Sequence, residues 1–459
     1  MEVLSPFHAK SRMEEDIYEY EFKSNLLSRA NIQQQIARLK EAAEEADERI
    51  KYESAHNPEI QYAIDLVANF LRKKGRVCYG GTAINAILPR SLRFYDPQKD
   101  LPDYDFFTPN PEQDIKDIVK DLQQAGFPDV VERVGIHEGT HKILVNFVAI
   151  ADISTLDPEL YSLLYKRSIV RDGIHYSDPD FLRMMMYLEL SRPRGQVERW
   201  AKVYERLLLL NEAFPPKVCR TKAEDLVGRV SIPVVLRKAL LEYVIDNKRV
   251  LMGAEVVSLY DWLISKARRF SPTMTWFLKK NGMVVFLTPD ADRDAYRLKE
   301  IFASPEITVE ILEAKGELVP HRAIVSYRGM PFAELLQEVA CHSFTSLSLP
   351  DGRKLQVASL ETMITFYYSL LLFTDDEKIL QFYMTCLCQK LVDMSEKLHR
   401  KGTAGPIPAF SIECSGYQKG FATLLKEKFS RIQREKQKQK RQTQKRNRKS
   451  NRKTLKSST

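Results

Sequence analysis

No stretch of this chain approaches the ~20 consecutive apolar residues that a membrane-spanning helix needs, so a bilayer-embedded architecture is not expected. The opening segment MEVLSPFHAKSRMEEDIYEYE is acidic and lacks the charged-then-apolar order of a secretory leader. Cysteine is scarce and scattered over Cys78, Cys219, Cys341, Cys386, Cys388 and Cys414. The one close pair, Cys386 and Cys388, sits two apart in a helix-like run and would diverge. That pattern predicts reduced thiols in an intracellular protein. Acidic residues are nearly missing at the C-terminus, where residues 426–459 carry 15 Lys and Arg against Glu427 and Glu435. The net charge of +9 therefore divides into +13 for this segment and −4 for the rest. From Gln433 onward there is almost nothing to pack, which predicts a disordered basic tail over 426–459. Such a tail suits an electrostatic arm for a polyanion, or else a localisation or solubility element.

What is present is enough apolar material for more than one core, with 459 residues of which 44% are hydrophobic. Residues 33–55 alternate charge at helical spacing, and a helix starts cleanly at Asn57 as N-cap with Pro58 behind it, ending at Gly75. The segment Arg76 to Tyr79 reads as a strand, followed by the turn Gly80-Gly81-Thr82 and a short helix. A second strand covers Asp103 to Phe107, a helix follows from about Glu112 to Ala125, and residues 130–136 and 142–153 read as a hairpin of two strands. Mostly helix comes next. The expected class is α/β (α+β), built on a mixed sheet.

The chemistry is carried by three acids. Residues two apart in a strand point to one face, so Asp103 and Asp105 present their carboxylates side by side. Like charges are tolerated there when a cation sits between them, and hard oxygen ligands suit Mg²⁺ or Mn²⁺. Asp152 ends the apolar run 143–151, where a bare charge needs a reason. Three carboxylates can hold two metals for an in-line displacement at phosphorus. Gly80 and Gly81, at a strand-to-helix turn, let backbone N–H groups approach triphosphate oxygens.

In this order the elements resemble the nucleotidyltransferase superfamily of DNA polymerase β. More narrowly, YGGTAIN at 79–85, LPDYDFF at 101–107, ADIS at 151–154 and MYLELSRPRGQVERWAKV at 186–203 resemble the poly(A) polymerase catalytic subunits of poxviruses and other large cytoplasmic DNA viruses. The resemblance covers roughly residues 60–425. It implies ATP as substrate, an RNA 3′ end as acceptor and two divalent ions on Asp103, Asp105 and Asp152. It also allows either a homodimer or a separate processivity subunit, and implies the host cytoplasm or virion as location. Gly80, Gly81, Thr82, Lys142, Arg183, Arg199 and Lys202 form the expected nucleotide-binding set, the last three because their helices follow the catalytic strand. The rival readings are a nucleotidyltransferase with another acceptor and a non-catalytic RNA-binding protein.

The downstream half repeats the upstream half. Arg76-Val77-Cys78-Tyr79-Gly80 recurs as Arg249-Val250-Leu251-Met252-Gly253, and Phe107-Thr108-Pro109 recurs as Leu287-Thr288-Pro289. His141 to Val145 recurs as His321 to Val325, and Asp172-Gly173 as Asp351-Gly352. Carrying a shift of 180 onto the acids places Met283, Val285 and Phe332 at the positions of Asp103, Asp105 and Asp152. A degenerate second copy is expected, dividing the chain into a helical region 1–56, a catalytic copy 57–215, a degenerate copy 216–425 and the tail. The spelling His137-Glu138-Gly139-Thr140-His141 fits a zinc-protease motif, but that motif needs a helix, and Gly139 between strand-like runs predicts a hairpin turn instead.

Overall fold

A computed structural model describes residues 29–96, 98–266, 274–374 and 378–434, with residues 436, 437 and 440 beyond them. Of the described residues, those within 29–62 and 95–101 form one compact unit and those within 63–94 and 102–440 form another. In the first, helix α1 (Arg29–Ala55) is exposed along nearly its whole length, and Glu48 reaches Lys99 at 3.5 Å. Helix α2 (Pro58–Lys74) begins there as the sequence predicts, with the Asn57 side chain accepting from the backbone N–H of Glu59 at 3.0 Å and Ile60 at 3.3 Å. It ends at Gly75, whose φ of +62° takes the left-handed turn that stops a helix.

The second unit contains two mixed sheets with helices around them, an α/β architecture as expected. The first sheet runs in the order β3-β4-β5-β2-β1-β7-β6. Its strands are β1 (Val77–Tyr79), β2 (Tyr104–Thr108), β3 (Val130–Val134), β4 (Thr140–Val145), β5 (Val148–Thr155), β6 (Ile169–Arg171) and β7 (Ile174–Tyr176). Helix α3 (Gly80–Ile87) follows β1 and α4 (Pro111–Gln124) follows β2. Val67, Phe70 and Leu71 of α2 are buried at helical spacing, with the Phe70 ring 6.0 Å from that of Phe106 on β2. Each such side chain contributes roughly 1.5–3 kcal/mol when fully buried.

The expected single strand over 142–153 is in fact two. Asn146 and Phe147 take φ of +49° and +66°, a pair of left-handed residues that reverses the chain between β4 and β5.

The second sheet repeats the first strand for strand: β10-β11-β12-β9-β8-β14-β13, extended at one edge by one further strand, Glu413–Ser415. Its members are β8 (Val250–Met252), β9 (Val284–Thr288), β10 (Ile307–Leu312), β11 (Arg322–Tyr327), β12 (Met330–Gln337), β13 (His342–Ser348) and β14 (Lys354–Ala358). The duplication extends to a buried brace. In the first copy Arg76 Nε donates to Asp114 at 2.7 Å while Thr108 Oγ1 donates to the same carboxylate at 2.5 Å. In the second, Arg249 Nε meets Asp294 at 2.6 Å and Thr288 Oγ1 meets it at 2.6 Å. Each brace ties the residue before the first strand to the helix after the second.

Strand register corrects one expectation. Asp105 lies opposite Asp152 across β2 and β5, whereas Val285 lies opposite Glu334 across β9 and β12. The counterpart of Asp152 is therefore Glu334, not Phe332, and the second copy has kept one acid.

Cysteine pairing also differs from expectation. Cys219 is bonded to Cys386 and Cys341 to Cys414, while Cys78 and Cys388 remain buried free thiols. The partners lie 167 and 73 residues apart, so their spacing in sequence carried no sign of pairing. The tail expectation starts too early: residues 421–434 are helical, and Arg431 Nη2 donates to the carbonyl of Ile136 at 2.9 Å. Residues 441–459 lie outside the described residues. Among the described residues, no helix is long and apolar enough to cross a membrane.

Candidate active site

The sheet order explains why two acids meet. Strands β2 and β5 are parallel neighbours, and their register sets Asp105 directly opposite Asp152. Asp103 stands exposed, one residue before β2 begins. On the other side β1 runs antiparallel to β2 with Tyr79 opposite Asp105, and Gly80 follows with φ +73°. A Cβ on Gly80 would fall 2.2 Å from Asp105 Oδ2, so only glycine lets this turn close over the carboxylate. Gly81 and Thr82 lie buried in the first turn of α3, and Thr82 Oγ1 donates to the backbone carbonyl of Asp103 at 2.7 Å. The glycine turn and the acid pair are thus tied together directly. The first N–H groups of α3 have no side-chain cap, which leaves them to an anionic ligand.

The electrostatics agree with a cation-binding surface. Burial, then the neighbouring charges of Asp103 and Asp152, push the Asp105 carboxyl up to about 7, while Lys142 and Arg199 pull the other way. Lys142 lies opposite Asp152 on β4 and its ammonium is bonded to that carboxylate. Burial likewise pushes the Tyr79 phenol up; its hydroxyl pairs with Ser154 Oγ at 2.8 Å. Among the described residues, no three His, Cys, Asp or Glu side chains are gathered closely enough to hold one ion as they stand. The donor set nevertheless fits a hard cation: two facing carboxylates on rigid strands, crowded enough that one retains its proton near neutrality.

That crowding has a sign. Because the Asp105 value lies above the ordinary 3.8, the metal-free fold loses stability as pH rises from 3.8 toward 7, and no further above it. A cation needs the ionised form, so Mn²⁺ should bind about tenfold more weakly at pH 6 than at pH 8, one proton being displaced per ion. An equilibrium titration with Mn²⁺ at the two pH values measures this. Equal affinities would remove Asp105 from the binding set.

Of the basic residues expected here, Lys142 and Arg199 are placed near the acids. Arg199 is half exposed, pairs with Glu189 at 3.0 Å and contributes to the field at Asp105. Lys202 is exposed in the first turn of the helix Trp200–Ala213.

Arg183 must be corrected. It is fully buried, with its guanidinium bonded to Asn211 Oδ1 at 2.7 Å, to Asp180 and to the carbonyl of Phe214, and with the Tyr368 hydroxyl 3.5 Å away. Three of these partners lie in the first copy and Tyr368 in the second, and with no exposed surface the guanidinium is out of reach of a nucleotide. Arg183→Ala should cost about 3–5 kcal/mol by leaving Asp180 and Asn211 uncompensated. Denaturant unfolding reads that loss, while nucleotide affinity of the folded protein should stay at the wild-type value.

Two basic residues were missed. Burial and the positive charges of Arg192, Arg431 and Arg199 hold the His137 imidazole below its ordinary range, which places all three around the tip of the β3–β4 hairpin. Arg192 is mostly buried and its Nε has no partner among the described residues. Only the arginines at 192, 194 and 199 hinted at it, and the basic composition of 426–459 included Arg431 without pointing to the hairpin. The zinc-protease spelling is indeed a turn: His137 to Gly139 lie between β3 and β4, and His141 pairs with Glu132 at 2.8 Å.

Residues 65–196 match the family model described as poly(A) polymerase catalytic subunit. This segment contains the glycine turn, all three acids, Lys142 and Glu189, and stops short of Arg199. A protein of Acanthamoeba polyphaga mimivirus provisionally named poly(A) polymerase catalytic subunit is 28% identical over 233 residues, 47% of this chain and 38% of that protein. A protein of the same provisional name in African swine fever virus is 30% identical over 185 residues, 39% of this chain and 38% of its own length. The alignments thus span well under half of these curated relatives. In fold the likeness extends further. The crystal structure of the Megavirus polyadenylate synthase superposes with a TM-score of 0.67 at 18% identity, covering 90% of this chain and 84% of the other.

Proposed function

We propose that this chain is a polynucleotide adenylyltransferase that transfers AMP from ATP to RNA 3′ ends. The observation that carries the reading is Asp105 facing Asp152 in parallel register beneath a glycine turn that admits no side chain. Asp103, Asp105 and Asp152 would hold Mg²⁺ or Mn²⁺, which when bound supplies Lewis-acid stabilisation of the entering and leaving oxygens. The uncapped N–H groups at Gly80, Gly81 and Thr82 receive triphosphate oxygens. Lys142 and Arg199 offset the charge that gathers as the primer hydroxyl attacks and pyrophosphate leaves. In this reading residues 57–215 act as the catalytic copy, residues 216–425 hold RNA, and processivity comes from a homodimer or a separate subunit.

Incubation with a labelled RNA primer and each nucleoside triphosphate in turn, resolved on a denaturing gel, tests it. A long adenylate ladder that needs a divalent ion is expected. Equal use of all four nucleotides, or transfer to a non-RNA acceptor, would assign a different nucleotidyltransferase.

The basic C-terminus gives a separate expectation. Single strands lose affinity with salt at a slope of about −0.7 per neutralised phosphate, so removing contacts to roughly six phosphates should flatten the log–log salt slope by about 4. Deleting residues 430–459 also removes Arg431 from the hairpin. Weaker primer binding and shorter products at moderate salt are expected, with single-nucleotide addition near wild type at low salt. An unchanged slope would leave the tail as a localisation or solubility element.

A further inference from the structure

The degenerate copy has lost the acid pair but not the space it faced. Where the first copy has Tyr79, Thr82, Asp105 and Asp152, strand register and position after the glycine put Met252, Glu255, Val285 and Glu334. All four line a cavity of about 400 Å³, within the range of small-molecule sites, which run from about 300 to 1,000 Å³. Four methionines and two tyrosines, Met252, Met283, Met330, Met384, Tyr367 and Tyr383, are part of its wall. Thioethers and tyrosine rings are soft, polarisable surfaces suited to the face of a flat aromatic heterocycle.

The polar groups of the cavity are few and specific. Glu255 is 2% exposed. Its Oε1 accepts from the backbone N–H of Gly282 at 2.7 Å and from Arg237, a fully buried guanidinium that also donates to the carbonyls of Phe277 and Gly282. Oε2 of Glu255 is buried and has no partner among the described residues. Leaving a carboxylate oxygen unmet in an apolar cavity costs about 1–3 kcal/mol, so it is a standing preference for an N–H donor. Glu334 adds a second carboxylate, held by Arg322 at 3.2 Å, and burial pushes its carboxyl up. Burial likewise pushes Glu255 up to about 7. In its ionised form Glu255 presents Oε2 as an acceptor for an N–H donor, and the exposed Arg229 on the cavity lining leaves a phosphate borne by the same ligand a partner outside the apolar wall.

We propose that this cavity is a binding site for an amino-bearing nucleobase, stacked among the methionines and tyrosines with its exocyclic N–H on Glu255 Oε2. Adenine, cytosine and guanine carry such an amine. Uracil does not: its one ring N–H is flanked by carbonyl oxygens that would face the carboxylates. The base arrives either on a free nucleotide or as one residue of an RNA strand, and the chemistry of recognition is the same. The proposal does not rest on the catalytic reading, because the site contains none of the residues assigned to transfer.

The test uses the full chain in chelator, so that metal-dependent binding at the first copy is silent. Photo-crosslinking with 8-azidoadenosine, followed by peptide mapping, should label peptides containing Met283 or residues 367–384 saturably. Adenosine should compete at least tenfold better than uridine. Met283→Trp, which fills the cavity without touching the buried ion pairs, should reduce labelling at least tenfold. Should that variant fail to fold, Met330→Trp at the 41%-exposed rim serves the same purpose. An adenylate oligonucleotide that competes better than adenosine would assign the site to an RNA strand, and one that fails to compete would assign it to free nucleotide. Labelling confined to the first copy, equal competition by uridine, or labelling undiminished in both variants would overturn the proposal.

Discussion

Asp105→Ala and Asp152→Ala should each lower primer extension by ~10³ or more, about 4 kcal/mol of transition-state stabilisation. The two residues are directly opposed on neighbouring parallel strands, so neither can substitute for the other. RNA binding should be nearly unchanged, since the basic groups near the site are left in place. Asp105→Ala should also leave the metal-free fold as stable or more so at pH 8, because the wild-type carboxyl is held above its ordinary range by burial and like charge. Loss of activity without loss of melting temperature is therefore the expected pair of readouts. Extension within tenfold of wild type for either variant would remove that residue from the chemistry.

Gly80→Ala should come close to the same loss by a different route. The added methyl group would lie 2.2 Å from Asp105 Oδ2, inside contact distance, and φ +73° disfavours any side chain there. Either the turn opens or Asp105 rotates away from Asp152, and misplacement by about 1 Å costs roughly 10² in rate. The second copy supplies the control. Gly253 has φ +96° and its Cβ would meet Val285 Cγ2 at 3.0 Å, so Gly253→Ala strains the same turn above an apolar side chain. Both variants should lose roughly 1–3 kcal/mol of stability, but only Gly80→Ala should lose extension in the folded fraction. Equal losses of activity would mean that the turn acts through the fold alone.

Much of the upstream copy was legible because its signals are local. Asn57 before Pro58, Gly75 after a basic last turn, and Gly80-Gly81 between an apolar strand and a helix each specify a backbone geometry. The turn at Asn146-Phe147 was not legible, because a reversal with two left-handed residues ordinarily announces itself with glycine. Glu334 was missed for a reason specific to sheets. The repeated His-x-x-x-Val spelling aligned the two hairpins two residues out of register, and a slip of two keeps every side chain on its own face. The apolar pattern therefore matched equally well in the wrong alignment, and only the pairing of Val285 with Glu334 exposes the error. Arg183 looked available because a helical arginine near a catalytic strand usually faces solvent. It is instead buried among partners that local sequence does not announce: Asn211 and Phe214, 28 and 31 residues on, and Tyr368, 185 residues away. The bonds Cys219–Cys386 and Cys341–Cys414 were hidden by the same kind of distance.

The buried brace of arginine, aspartate and threonine is identical in chemistry in the two copies, although the acids that would bind metal are not. The residues that clamp each sheet to its helix and the residues that would bind metal are therefore separate sets. Replacing the acids leaves the clamp in place, as the second sheet shows with Val285 where the first has Asp105.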